Sequence, residues 1–265
     1  MADLEYSITD GVGTILLNRP HRKNAFTMDM IDQWAEILRA ARTDSTVRVV
    51  VVTGAGDAFC SGVDLGPLDA DAPARARPGP LQRKEHLTEH VHRIPLALED
   101  LDKPVIAAVN GVAVGAGMDM ALMCDMRVMA GSARLSEGYI RVGLVPGDGG
   151  CYFLPRLVGT AKALELMLTG DFIGAEEAGR LGIANRVVED GELTAAVAEL
   201  ASKIATAPPV AVRAIKRAVY QSSRTDLRTA LDLISSHMGV VTSTDDSAEA
   251  FAAFREKRAG RYVGH

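Results

Sequence analysis

Short apolar runs alternate with longer helical stripes along this chain, and the alternation predicts most of its elements. Glu5 to Ile8 and Thr14 to Leu17 flank Asp10-Gly11-Val12-Gly13, a β-hairpin signal. Met30, Ile31, Trp34, Ile37 and Leu38 recur at helical spacing behind Thr27, which predicts an amphipathic helix over 27–42 with Thr27 as its N-cap. Val47 to Val52 is a continuous apolar run closed by Thr53-Gly54-Ala55-Gly56, a buried strand. Gly66 to Pro80, rich in Pro, Ala, Asp and Arg, reads as a mobile surface loop. A helix over 81–100 follows it. Further strands are expected at 105–109, 127–130 and 133–135. From Gly159 onward strand signals nearly vanish. Helices are expected near 160–168, 175–181, 191–206, 210–222, 226–239 and 245–258. The pattern is a strand-strand-helix array followed by a helical final third.

The array is organised around Lys103 to Asp125, KPVIAAVNGVAVGAGMDMALMCD. Val105 to Val109 is a β-branched run behind a proline, and Asn110-Gly111 turns the chain. Gly115-Ala116-Gly117 then opens a helix that is apolar on nearly every side except at Asp119. A glycine-rich approach to a buried helix N-terminus presents unpaired N–H groups and a positive dipole end. Asp119 is either a first-turn charge that complements this dipole or a functional carboxylate. A second glycine-flanked segment, Phe59-Cys60-Ser61-Gly62-Val63-Asp64, follows the strand at 47–52. Two backbone N–H donors converging on one oxygen form an oxyanion hole, which stabilises an enolate or a tetrahedral anion.

Length and charge narrow the function classes. At 265 residues the chain can bury a substantial core, and a net charge of −5 argues against nucleic acid as a partner. Three widely spaced cysteines, Cys60, Cys124 and Cys151, fit a reducing cytosol. The acidic start lacks an export signal and no apolar run is long enough to span a membrane, so a cytoplasmic protein is expected. His86, Glu89 and His90 match the H-x-x-E-H pattern of some metal hydrolases, but no third ligand is evident and a polar helix face explains them. The third glycine of a dinucleotide fingerprint is absent after Gly115 and Gly117. Ser61 has no nucleophile-elbow context.

Several segments together resemble the enoyl-CoA hydratase/isomerase (crotonase) family over essentially the whole chain. They are LNRPHRKNAF at 17–26, GAGDAFCSGVDL at 54–65, KPVIAAVNGVAVGAG at 103–117, VGLVPGDGG at 142–150, LTGDFIGAEEAGRLGIANRVV at 168–188 and FAAFREKR at 251–258. The resemblance implies an α/β fold, a crotonase-like ββα spiral over 1–200, with a C-terminal helical trimerisation region at 201–265. A homotrimer or homohexamer is expected. The implied substrate is an acyl-CoA thioester. Coenzyme A is then part of the substrate, and no separate cofactor and no metal are expected. The implied oxyanion donors are the backbone N–H groups of Val63 and Ala116, where relatives commonly carry glycine at the second position. The implied CoA-binding residues are Lys23, Ala25, Ser61, Gly62, Asp64, Leu65 and Lys257, with Arg258 as a further candidate. For the basic pair a solvated helix face is the competing reading.

The catalytic acids depart from the family pattern. The first of the two hydratase glutamates matches Asp119, and the second matches Tyr139, a phenol of ordinary pKa near ~10 and a poor base at neutral pH. The acid that isomerases and dehalogenases carry in the next loop matches Gly147. Asp148 lies one residue further on, either catalytic or a helix cap. Glu137, also nearby, reads as a surface charge. The expected chemistry is enoyl-CoA hydration handled by Asp119 with Tyr139 or Asp148. Double-bond isomerisation by one carboxylate, or a non-catalytic CoA-binding role, are the alternatives.

Overall fold

The computed structural model describes residues 2–64 and 79–265, so Leu65 and all of the expected surface loop except Gly79 and Pro80 lie outside the described residues. The chain opens with the expected hairpin, β1 (Leu4–Thr9) antiparallel to β2 (Val12–Leu17). Asp10 and Gly11 take φ of 50° and 81° at the turn, a backbone that asparagine, aspartate and glycine tolerate best. Helix α1 (Met28–Thr43) begins where the sequence places it, with the Thr27 hydroxyl accepting from the Met30 N–H at 3.3 Å. Its apolar stripe buries Met30, Ile31, Trp34 and Leu38.

Three ββ pairs then build two sheets. They are β3 (Val49–Gly54) with β4 (Ala58–Cys60), β5 (Val105–Val109) with β6 (Val112–Val114), and β7 (Met126–Ala130) with β8 (Arg134–Ser136). The first strand of each pair joins a six-stranded sheet, ordered β1-β2-β3-β5-β7 and closed by β10 (Arg186–Val188), parallel from β2 onward. The second joins a four-stranded sheet, β4-β6-β8 closed by β9 (Ile173–Gly174). Each ββ pair is thus one turn of a spiral. β3 and β5 read as continuous apolar runs because both faces of the large sheet are covered. The expected helix over 81–100 is divided into α2 (Pro80–His86), a wide turn at Leu87–Val91 and α3 (Arg93–Asp100).

Helix α4 (Ala116–Leu122) is buried on every residue. Helix α5 (Gly150–Thr169) breaks at Gly159, whose φ is 77°. Two short strands, β9 (Ile173–Gly174) and β10 (Arg186–Val188), flank α6 (Ala175–Arg180) and close the two sheets. The sequence shows no strand there, because two or three residues are too few to display a period. Then come α7 (Leu193–Ala205), which packs on β3, β5 and β7, followed by α8 (Pro209–Ser222), α9 (Leu227–Thr242) and α10 (Asp245–Glu256). Ion pairs tie α8 to the spiral: Lys216 meets Asp125 at 2.8 Å, and Arg213 and Arg217 meet the buried Asp102 at 2.8 and 2.6 Å. No described helix is long and apolar enough to cross a membrane.

Candidate active site

Two close backbone crossings bring the glycine-flanked segments together. A Cβ built on Gly117 would lie 2.0 Å from the Cys60 carbonyl oxygen, so only glycine lets the first turn of α4 rest on the end of β4. Gly62, at φ 96°, has its missing Cβ 3.6 Å from the Ala116 nitrogen. Gly115, at φ 53°, turns the chain from β6 into α4 while its N–H donates to Ser136 O at 2.8 Å. Ala116 N–H is therefore the first amide of a helix and has no partner within it. A bridge fixes Val63: Phe26 N–H donates to Gly62 O and Asp64 N–H donates to Phe26 O, both at 2.9 Å. Successive amides of an extended chain point in opposite directions, so the Val63 N–H faces away from this bridge.

The same bridge gathers most of the expected CoA-binding residues. Ser61 N–H donates to Lys23 O at 2.9 Å, and the Asp64 carboxylate meets Arg19 at 2.8 Å and Arg22 at 2.9 Å. Lys23 takes φ 50° and pairs with Asp57 at 2.6 Å, and Ala25 is buried beside it. Asn24, which the sequence did not single out, organises this corner. Fully buried at φ 56°, its side chain accepts from Arg19 N–H and donates to Ala55 O and Ala58 O at 2.9, 2.8 and 2.7 Å. Lys257 is exposed in a left-handed C-cap at the end of α10, and Arg258 is committed to ion pairs with Glu249 and Glu256 at 2.6 Å.

The three expected catalytic side chains form one chain of hydrogen bonds. Tyr139 Oη lies 2.8 Å from Asp119 Oδ2 and 2.5 Å from Asp148 Oδ2. Each residue comes from a different element. Asp119 sits in the first turn of α4, Tyr139 in the short helical turn Gly138–Val142 after β8, and Asp148 in the loop before α5. Asp119 is fully buried and Asp148 nearly so. Asp119 is thus a first-turn carboxylate held out of water. Nor is Asp148 the helix cap: Gly149 occupies that position, and the Asp148 carboxyl is spent on Tyr139.

Glu137 is the main correction. Expected as a surface charge, it is 1% exposed and its carboxyl presses on the same glycine as that of Asp119. A Cβ on Gly150 would lie 2.3 Å from Asp119 Oδ1 and 2.7 Å from Glu137 Oε1. The residue turns inward because the chain leaves β8 directly into the Gly138–Val142 turn, a local geometry with no periodic signal.

Burial dominates the electrostatics. It raises the proton affinity of Asp119 to about 7, with the Tyr139 hydrogen bond opposing the rise and the Asp148 charge adding to it. Burial and then the Asp119 charge push Glu137 up to about 10. Tyr139 is driven far above its ordinary value by burial and by its two carboxylate neighbours, so it is a neutral donor at physiological pH. Asp148 is raised by burial, offset by the Tyr139 bond and by the charge of His92, whose Nε2 lies 2.9 Å from Gly147 O. Cys60 and Cys124 are pushed up to about 12 by burial, which makes them packing residues rather than nucleophiles. His86 and His90 stand 5.3 Å apart, and His90 faces Asp32 at 3.6 Å. Among the described residues no three His, Cys, Asp or Glu side chains gather closely enough to hold a metal ion.

The sequence model of the enoyl-CoA hydratase/isomerase family matches residues 7–265. The chain belongs to this family. It is 37% identical over 257 residues to the 1,2-epoxyphenylacetyl-CoA isomerase of Escherichia coli (strain K12), covering 97% of each protein. It is also 38% identical over 248 residues to the short-chain-enoyl-CoA hydratase of Clostridium acetobutylicum, covering 93% of this chain and 92% of that one. The crystal structure of an enoyl-CoA hydratase from Bacillus anthracis superposes with a TM-score of 0.90 at 34% identity, over 100% of both chains. As an enoyl-CoA hydratase/isomerase family member the chain has a crotonase fold. Within that fold two aspartates, a tyrosine and a glutamate are buried together beside the two glycine crossings.

Proposed function

We propose that this protein is an acyl-CoA-processing enzyme of the hydratase type, adding or removing water across the 2,3 bond of an enoyl-CoA through a thioester enolate. Asp119 bonded to Tyr139 within reach of the two glycine crossings is the observation that carries this reading. The thioester oxygen would accept from the Val63 and Ala116 N–H groups, which lowers the cost of negative charge on it. The CoA moiety would lie along Lys23, Ala25, Ser61, Gly62 and Asp64, with Lys257 reaching its phosphates, from a neighbouring subunit where needed. Homology to a short-chain-enoyl-CoA hydratase supports the reaction class. The site needs no cofactor beyond the coenzyme A of its substrate, and a cytoplasmic setting agrees with three unpaired cysteines.

Asp119, raised to about 7, is poised to exchange a proton near neutral pH. Tyr139 cannot take a proton from water there, but it can pass one between the two aspartates it touches. That relay favours a second reading. One carboxylate that collects a proton at one carbon and returns it at another performs double-bond isomerisation, and a 1,2-epoxyphenylacetyl-CoA isomerase is among the relatives. A paired assay of crotonyl-CoA hydration and 3-enoyl-CoA isomerisation separates the two. Asp119→Asn is expected to lower whichever activity dominates by about 10²–10⁴-fold, the usual worth of a positioned acid-base group. Fast turnover in the folded variant contradicts the proposal. Tyr139→Glu is expected to raise hydration relative to isomerisation.

A further inference from the structure

Glu137 has no place in the reaction as proposed, yet it is buried against it. Both of its carboxyl oxygens, and Asp119 Oδ1 beside them, lack a hydrogen-bond donor among the described residues when every carboxyl is taken as ionised. Both side chains press on Gly150, which has no Cβ to hold them apart. Two carboxylates in contact, each almost sealed from water, cannot both keep a negative charge. A single proton between them turns the clash into a hydrogen bond.

The hydrogen-bond inventory says which oxygen holds that proton. Asp119 already has a donor for its charged form, Tyr139 Oη at 2.8 Å from Oδ2, and the nearby Gly150 backbone N–H also favours its charge. Glu137 has none. Charge settles where donors exist, so the proton belongs to the glutamate. The inventory also holds on the far side of Asp119. Tyr139 has one O–H and two carboxyl neighbours, so Asp119 and Asp148 share one negative charge through the phenol. In either arrangement of that pair Glu137 remains the acid.

We propose that Glu137 is a neutral carboxylic acid that donates its proton to Asp119 Oδ1, a positioning residue that orients Asp119 and stabilises its ionised form. The role rests on the reading of Asp119 as the group that handles the substrate proton. The titratable groups facing this pair are Tyr139 and Asp148, Cys151 from α5, and His92 behind Asp148. Among these only His92 can carry a positive charge. The strong upward push on Glu137 from burial and from Asp119 agrees with the assignment.

Infrared spectroscopy tests this without acyl-CoA and without a variant. Glu137 is the only buried glutamate among the described residues. Wild-type protein at pH 8 should show the carbonyl stretch of a protonated carboxyl, and this band should shift when glutamate side-chain carboxyls carry ¹³C. Absence of such a band, or one that moves only with labelled aspartate, overturns the proposal. Turnover supplies a second arm. Glu137→Gln keeps an uncharged donor and should stay within about threefold of wild type. Glu137→Ala should move the acidic limb of the rate profile to higher pH, because Asp119 loses a donor to its charged form. A Glu137→Gln protein as impaired as Asp119→Asn also overturns it. If Asp119→Asn stays active while the labelled band shifts, the fault lies in the catalytic assignment and not in the protonation of Glu137.

Discussion

At the scale of single residues the site is a set of acids kept out of water. Loss of the Tyr139 hydroxyl in Tyr139→Phe leaves Asp119 Oδ2 and Asp148 Oδ2 without the hydrogen-bond partner they share. The expected cost is about 1–3 kcal/mol of stability, read from chemical denaturation. Turnover should fall by about 10²-fold. The raised carboxyls also fix the sign of a pH effect. The folded state binds protons on Asp119 and Glu137 that the unfolded chain releases near pH 4. Their contribution to stability is therefore full below about pH 4 and is lost as pH rises through about 7 for Asp119 and about 10 for Glu137. Wild type should lose more melting temperature between pH 5 and pH 9 than the Asp119→Asn, Glu137→Gln double variant. An equal loss in both proteins contradicts the assignment. The grouping of Asp119, Tyr139 and Asp148 was legible in the sequence because they lie in motifs that resemble the family. Glu137 and Asn24 were not. Both are placed by burial, and Asn24 also by a partner 34 residues distant, which no local pattern records.

At the scale of elements, glycines decide where backbones cross. Gly117→Ala would drive a methyl group into the Cys60 carbonyl, 2.0 Å away, and force α4 off β4. The expected destabilisation is about 3 kcal/mol, at the upper end for overpacking, and a thermal melt measures it. Gly150→Ala acts differently. Its nearest obstacles are the ends of the Asp119 and Glu137 side chains, at 2.3 and 2.7 Å, so activity should fall more than stability. The long elements were readable in advance: Thr27 as the cap of α1, the runs of β3 and β5, and most C-terminal helices. The short strands β4, β6, β9 and β10 were not, because the neighbouring sheet dictates them rather than their own two or three residues.

At the scale of the molecule, one chain leaves a broad apolar face uncovered. Leu227, Leu231 and Met238 of α9 are 72%, 53% and 58% exposed, and Phe254 of α10 is 83% exposed. Side chains of this size at helical spacing predict association. We expect light scattering to give three or six times 28.1 kDa, and Leu231→Glu with Met238→Glu to lower that mass without unfolding the subunit. A monomeric wild type at micromolar concentration contradicts this. The apolar stripe is plain in the sequence, whereas its exposure becomes evident only once the spiral is seen to pack without it.

Asp119 is expected to exchange a proton with the carbon next to a thioester held by the Val63 and Ala116 amides. Hydrogen exchange at that carbon reports on it whether the overall reaction is hydration or isomerisation. A saturated acyl-CoA such as butyryl-CoA, incubated with enzyme in D₂O, should gain deuterium at C2, as read by mass spectrometry. Folded Asp119→Asn should slow the exchange by at least about 10²-fold. Exchange at the wild-type rate in that variant would contradict the account.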